Sequence, residues 1–209
     1  MERSKQVVKC WKDLIAVEEK VNEVLKRLKK NYIKPLRTNE GKYMLPAMKP
    51  KDQSLLSKHH HKILFRDLET MEKLSTQFLI ELKDESNNKS EKEINMGILY
   101  TFCPYFVLHK THIDNLDGII GLLEKLMHGD KFYTYVLSKC RHVMEDDIYH
   151  LMLKPVDALL YYSKLAHKLV LNTEDDHKYL EDLKGADAKL AQLFASVKKA
   201  IPVYQQLLE

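Results

Sequence analysis

The sequence predicts an all-α fold, a bundle of about six or seven long helices. Six glycines and six prolines are the only strong helix breakers among 209 residues, which leaves long stretches free to form helix. Apolar residues recur in steps of three and four along most of the chain. Because 44% of the residues are hydrophobic, the chain can fill one sizeable core, and we expect one domain with almost no strand.

Composition and charge narrow the classes of function. Lys and Arg number 34 against 30 Asp and Glu, and a net charge of +4 does not indicate a nucleic-acid partner. Cys10, Cys103 and Cys140 form no C-x-x-C pattern, so the sequence predicts neither a disulfide framework nor a zinc site. No apolar run approaches the roughly 18 residues of a spanning helix. These observations favour a cytoplasmic protein.

The first predicted helix runs from Val7 to Tyr32. Its buried face is a stripe in steps of three and four: Val7, Trp11, Leu14, Val21, Leu25, Leu28 and Tyr32. Glu18 occupies the one gap in this stripe, so a carboxylate is predicted on the buried face. The segment 36–51 contains Gly41, Pro46 and Pro50 without periodicity, and it is predicted to be an irregular connector.

A second helix is predicted to begin near Asp52 and to end in the polar run DESNNKSEK, which predicts a loop. Its stripe is Leu56, Ile63, Leu64, Leu68, Met71, Phe78 and Leu82. An apolar stretch follows from Glu93 to about His128. There we expect a kink at Pro104, a new helix capped by Asn115 or Asp117, and an end at Gly129.

The last third of the chain predicts three more helical units. KFYTYVLSKCRHVM forms a short helix, and IYHLMLKPVDALLYYSKLAHKLVL forms a longer one broken near its start by Pro155. After the polar NTEDD, one final helix is predicted from its apolar repeat of Leu183, Ala186, Leu190, Leu193, Val197, Ile201, Tyr204 and Leu208.

The histidines do not predict a metal site. His59, His60 and His61 are consecutive, so on a helix their side chains point about 100° apart and a solvated surface is expected. His109 and His112 share a helical face, but no neighbouring ligand completes a set. The run KRLKKNYIKPLR could bind phosphates or a membrane, although basic residues in the last turns of a helix also complement its dipole, and we favour the second explanation.

Three segments resemble the conserved regions of Dbl-homology domains. DLIAVEEKVNEVLKRLKKNYIKPL, residues 13–36, resembles the first region, which ends in Tyr-x-x-Pro-Leu. ILFRDLETMEKLSTQFLIEL, residues 63–82, is similar to the second. LMLKPVDALLYY, residues 151–162, looks like the Leu-x-Lys-Pro-Val-Gln-Arg-Ile-x-x-Tyr helix. The resemblance implies an elongated helical bundle of the Dbl-homology type over residues 1–209, a single domain excised from a larger protein.

The resemblance also implies a function. Domains of this family are guanine nucleotide exchange factors, which bind a Rho/Rac-family small GTPase and accelerate GDP release by stabilising the nucleotide-free state. Such exchange involves no covalent chemistry, so we expect neither a catalytic group nor a cofactor. Recruitment to a membrane through a flanking domain is a further expectation, whereas a nucleic-acid partner is not expected.

By the same resemblance, the GTPase-binding residues are Glu18, Leu153, Lys154, Asp157, Tyr161 and Lys198. Glu18 aligns with the family's key Glu, which contacts switch I, and Leu153 aligns with a position that helps select among Rho-type partners. The sequence departs from the family at Tyr161, where a basic residue is usual, at Lys198, where Asn is usual, and at Asp157-Ala158, which replaces Gln-Arg. These departures keep an exchange-inactive adaptor or scaffold as the alternative, and a basic membrane- or nucleic-acid-binding module as a third class.

Glu18 has two interpretations. An ionisable group on an apolar stripe is usually hydrogen-bonded within the bundle. The resemblance instead favours an exposed groove lined by Glu18 and by the helix around Lys154, where a partner supplies the counter-charge. We therefore expect Glu18 on an exposed groove.

Overall fold

The computed structural model describes residues 2–37, 55–87, 93–140 and 147–206. Within these ranges the chain is helical and contains no strand, which confirms the all-α prediction. The helices are α1 (Glu2–Leu28), α2 (Lys34–Arg37), α3 (Lys58–Phe65), α4 (Leu68–Ser86), α5 (Ile98–Thr101), α6 (Cys103–Met127), α7 (Asp130–Cys140), α8 (Ile148–Leu153), α9 (Val156–Asn172), α10 (Leu180–Val197) and α11 (Ile201–Gln206).

The first predicted helix is confirmed, and every apolar residue of its stripe is buried. A π-helical segment, Lys29–Ile33, joins α1 directly to α2, so the chain is continuously helical from Glu2 to Arg37. The connector predicted beyond Leu36 and the helix start predicted near Asp52 lie mainly outside the described residues.

The second predicted helix is two helices, and the prediction of one was wrong. The chain turns at Asp67, whose φ of 63° places it in the left-handed region, between α3 and α4. Asp tolerates this conformation better than most residues other than Gly. The turn also changes which residues of the predicted stripe face the core. Leu64 and Leu68 are buried, whereas Ile63 is 37% exposed. α4 extends to Ser86, and residues 88–92 of the predicted loop lie outside the described residues.

The middle and final segments divide at different places from those predicted. Pro104 lies in the first turn of α6, where its missing N–H costs no hydrogen bond. α6 then continues past Asn115 and Asp117, so the predicted start of a new helix at either residue was wrong. The break before Gly129 is confirmed. The predicted final helix is interrupted between α10 and α11, since Pro202 cannot donate to the carbonyl four residues earlier.

The core lies among α1, α4, α6, α9 and α10. α1 packs against both α4 and α9, and α9 packs against α6 and α10. At one end, buried Trp11 donates its indole N–H to the Leu82 carbonyl at 3.1 Å. At the centre, the ring of Phe78 packs against those of Phe106 and Tyr162, with centroids 5.6 and 6.3 Å away. No described helix has the length and apolar composition needed to cross a bilayer.

Candidate functional site

A groove runs between α1 and the α8–α9 segment, and we call it the α1/α9 groove. Its volume is about 590 Å³. From α1 it is lined by Val17, Lys20, Val21, Glu23, Val24 and Arg27, and from α8, α9 and their junction by His150, Lys154, Asp157, Ala158 and Tyr161. Residues from both the first and the third of the resembling segments therefore meet in one concave surface.

The break between α8 and α9 positions one wall of the groove. Asp147 caps α8, because its carboxylate accepts hydrogen bonds from the backbone N–H of Tyr149 at 2.8 Å and of His150 at 3.3 Å. α8 ends at Leu153, and Pro155 directly precedes the first residue of α9, so the predicted break at Pro155 is confirmed. Lys154 lies in the turn between the two helices with its side chain exposed.

Two histidines of α6 stabilise this break from the core side. His112 bonds through Nε2 to the Met152 carbonyl at 2.8 Å, and His109 bonds through Nδ1 to the Pro155 carbonyl at 3.3 Å. A carbonyl can only accept, so these ring nitrogens carry the protons. Burial lowers the pKa of His112 and lowers that of His109 to about 3, which keeps both rings neutral. The pair considered as metal ligands thus satisfies backbone groups that the helix break exposes.

The groove surface mixes both signs of charge with apolar area. Lys20, Arg27 and Lys154 contribute cations, while Glu23 and Asp157 contribute carboxylates. Tyr161 is 47% exposed and presents a large aromatic side chain among these charges. An exposed aromatic residue flanked by charges is typical of protein–protein contact surfaces.

Glu18 lies in the core, and the prediction that it lines an exposed groove was wrong. Its exposed fraction is 0%. Its Oε1 accepts hydrogen bonds from Ser75 at 2.5 Å and from Tyr105 at 3.1 Å, and its Oε2 accepts one from Tyr162 at 2.5 Å. Burial raises the pKa of Glu18 to about 7, and the three hydroxyl donors only partly offset this rise. The alternative interpretation, a carboxylate hydrogen-bonded within the bundle, describes the structure.

The six residues predicted to bind a GTPase fall into three groups. Lys154, Asp157 and Tyr161 lie together on the α1/α9 groove. Glu18 and Leu153 are buried, and Leu153 is only 1% exposed. Lys198 is exposed in the turn after α10 and does not line the groove.

Sequence reasoning missed the α1 wall of the groove. Val17, Lys20, Val24 and Arg27 follow one another in steps of three and four, so they form a second face beside the buried stripe. The same periodicity that predicts the buried face could have identified this one, had the polar and half-buried positions been followed as well. His150 carried no such signal, because only the fold brings it opposite α1.

Comparison with known proteins identifies the family. The model of the RhoGEF domain matches residues 10–198. This match spans most of the chain, including both walls of the α1/α9 groove, and the chain belongs to the RhoGEF domain family. The Dbl-homology resemblance stated from the sequence is thereby confirmed.

Relatives and solved structures agree with this assignment. The chain is 25% identical over 126 residues to the Rac guanine nucleotide exchange factor JJ of Dictyostelium discoideum, a match that covers 59% of this chain and about a tenth of that protein. The DH domain of FARP2 has the same fold, with a TM-score of 0.68, 17% identity, and coverage of 97% of this chain and 93% of that one. The DH/PH domains of p115-RhoGEF superpose with a TM-score of 0.73 at 14% identity, covering 100% and 59% of the two chains.

Proposed function

We propose that the chain is a guanine nucleotide exchange domain for a Rho- or Rac-family small GTPase, and that the GTPase docks in the α1/α9 groove. One observation carries this proposal. Lys154, Asp157 and Tyr161, which align with the family's GTPase-binding helix, lie together on a groove completed by α1. The Dictyostelium relative, which is named as a Rac exchange factor, supports the class of partner.

Exchange on this surface depends on differential binding. A domain that binds the nucleotide-free GTPase more tightly than the nucleotide-bound one lowers the barrier to GDP release without forming a covalent bond. The groove suits this role because α1, α8 and α9 are all fixed by the core. Glu18 and Leu153 contribute from within it, by holding α1 and α8 in place, while the exposed groove residues make the contacts.

The mixture of charges sets the chemistry of the docked surface. Tyr161 occupies the position where the family usually has a basic residue. Lys20 and Arg27 supply cations from the opposite wall of the groove. The departure at Tyr161 therefore does not leave the groove without positive charge. Contacts of this kind fix the register of two protein surfaces and raise their association rate.

A second candidate function is an exchange-inactive scaffold that binds a GTPase without releasing its nucleotide. The burial of Glu18 favours this alternative, because the carboxylate aligned with the family's switch-contacting Glu has no exposed surface. A scaffold would still use the α1/α9 groove. Membrane recruitment through a flanking domain stays a prediction.

Release of a fluorescent GDP analogue from purified Rho and Rac GTPases tests the proposal. We expect the wild-type chain to accelerate release from at least one GTPase. Lys154→Glu should reduce that acceleration at least tenfold, a cost of about 1.4 kcal/mol in transition-state binding. Lys154 is exposed, so its reversal should leave the fold intact.

Lys131→Glu is the matched control, since Lys131 is an exposed lysine on α7 that does not line the groove. It should retain wild-type acceleration. Equal loss in both variants would place the effect in overall charge instead of the groove. If no GTPase is accelerated but the wild-type chain captures a nucleotide-free GTPase and Lys154→Glu does not, the scaffold function replaces the exchange function.

A further inference from the structure

A second groove lies on another side of the bundle, between α3 and α6, and we call it the α3/α6 groove. Its volume is about 300 Å³. It is lined by residues of α3, α4 and α6, and by Arg66 and Asp67 between the first two of these helices. No residue is shared with the α1/α9 groove, so the proposed GTPase site leaves this surface unexplained.

Apolar atoms form most of the surface of the α3/α6 groove. Met71 and Ile119 are buried at its base, and Leu108 is half-buried beside them. Ile63 is 37% exposed although it belongs to α3, a helix whose neighbouring Leu64 is fully buried. Val107 lies one helical turn before Thr111 on α6 and is also exposed, which extends the apolar surface. An apolar hollow of this kind can hold the anchoring side chains of a partner.

Gly118 keeps the hollow open. It lies inside α6, where Gly is less favourable than Ala by about 0.5–1 kcal/mol, and a Cβ built there meets no other atom within 4 Å. Neither backbone conformation nor helix packing therefore requires Gly at this position, since α6 has no positive φ and no close neighbour there. A larger side chain would extend into the groove, so the glycine contributes space.

The rim carries an excess of positive charge. Lys62 of α3 and Arg66, the residue that follows the end of α3, lie four residues apart on the side that borders the groove. The one acidic lining residue, Asp67, pairs with Arg66 at 3.4 Å. On the opposite wall, the lining residues Thr111 and Asn115 are uncharged, and both donate hydrogen bonds to carbonyls of their own helix.

We propose that the α3/α6 groove docks an acidic amphipathic helix of a protein partner. The apolar face of that helix would lie over Met71, Leu108 and Gly118, and its carboxylates would reach Lys62 and Arg66. Two helices bordering an apolar hollow match the helix-in-groove mode of recognition, in which anchors recur every three or four residues. The basic rim selects an acidic segment over a basic one. This docking is independent of GTPase exchange.

Fluorescence anisotropy with three synthetic peptides tests the proposal. The first places Leu at helical spacing on one face and Glu on the other, the second is a scrambled sequence of the same composition, and the third replaces Glu by Lys. We expect the first peptide to bind at least tenfold more tightly than either of the others. Equal affinity for the scrambled peptide would overturn the proposal, because it would show charge attraction without a shaped site.

Two matched pairs of variants locate the binding site. Gly118→Leu should weaken binding of the first peptide at least tenfold, because the larger side chain fills the groove. Gly121→Leu should not weaken binding, because Gly121 has equally open surroundings on the same helix but lies outside the groove. Lys62→Glu should weaken it likewise, and Lys58→Glu, an exposed lysine of α3 outside the lining, should not. Circular dichroism verifies the fold of each variant.

A result in which Gly118→Leu and Lys62→Glu both bind like the wild type would overturn the proposal. A second outcome would also overturn it. If no peptide binds, but the wild type binds vesicles of phosphatidylcholine with phosphatidylserine and Lys62→Glu does not, the occupant of the groove is a membrane surface. Nucleotide release does not enter either readout, so failure here and failure of the exchange function remain distinguishable.

Discussion

Glu18 is held by three hydroxyl groups from three different helices. Ser75 of α4, Tyr105 of α6 and Tyr162 of α9 all donate to its carboxylate, and Asn22 donates in turn to Ser75 at 3.0 Å. No lysine or arginine contacts this carboxylate among the described residues, so hydroxyl dipoles alone offset the loss of hydration. This explains why its pKa is raised although every oxygen is hydrogen-bonded.

The Glu18→Gln variant tests this arrangement through the pH dependence of stability. Because burial raises the folded-state pKa from 4.5 to about 7, the folded state holds a proton that the unfolded state releases between those values. The free energy of unfolding should therefore fall as pH rises through this window, by up to about 3 kcal/mol. The variant lacks this titration, so its stability should change less between about pH 5 and about pH 8 in urea unfolding. Parallel changes in the two proteins would contradict the raised pKa.

The position of Glu18 shows what residue-level prediction could and could not do. The periodicity of α1 correctly predicted a carboxylate on the buried face. The resemblance, which aligns Glu18 with the family's key Glu, led to the opposite expectation of an exposed groove. An alignment shows which residue occupies a position but not what surrounds it. The hydroxyl donors to Glu18 are Ser75, Tyr105 and Tyr162, and a single sequence does not show that their segments contact α1.

At the scale of elements, prolines and glycines decide where helices end and how closely they pack. The break at Pro155 was predicted and is confirmed, whereas one continuous helix was predicted past Pro202, although the missing N–H of each proline is a signal from which its break could be anticipated. The turn at Asp67 could not, because Asp carries no strong signal for the left-handed conformation. The buried face of α3 therefore differs from the predicted one. As a result, Ile63 is exposed and lines the α3/α6 groove.

Two helical glycines should respond oppositely to the same substitution. Gly118→Ala should raise the free energy of unfolding by about 0.5–1 kcal/mol, since Ala is the better helix former and open space surrounds its Cβ. Gly185→Ala should gain less or lose stability, because a Cβ in α10 would lie 2.9 Å from the ring of Tyr100. Urea unfolding measures both. Equal stabilisation of the two variants would show that Tyr100 moves aside freely.

At the scale of the whole molecule, the bundle brings distant segments of the chain together. α1 lies between α4 and α9, so the first and third of the resembling segments form one surface although more than a hundred residues separate them. The sequence predicted the α9 side of that surface through Lys154, Asp157 and Tyr161. Periodicity also marks a second face of α1, but only the packing of the helices shows that this face borders α9 and completes the surface.

The bundle also presents two grooves of different chemistry. The α1/α9 groove carries both signs of charge around Tyr161, whereas the α3/α6 groove is apolar with a basic rim. His112 lines the second groove and bonds the Met152 carbonyl of α8, next to the first. The separate linings of the two grooves allow each proposed partner to be tested without disturbing the other.

Fluorescent-GDP release by the Tyr161→Ala and Tyr133→Ala variants tests whether the α1/α9 groove is the GTPase-docking surface. The two tyrosines are almost equally exposed, at 47% and 45%, but only Tyr161 lines the groove. Truncating a central aromatic contact costs about 2 kcal/mol or more, so Tyr161→Ala should slow the accelerated release roughly thirtyfold while Tyr133→Ala releases nucleotide like the wild type. If Tyr161→Ala accelerates release like the wild type and Tyr133→Ala does not, the GTPase docks on α7 and not in the α1/α9 groove.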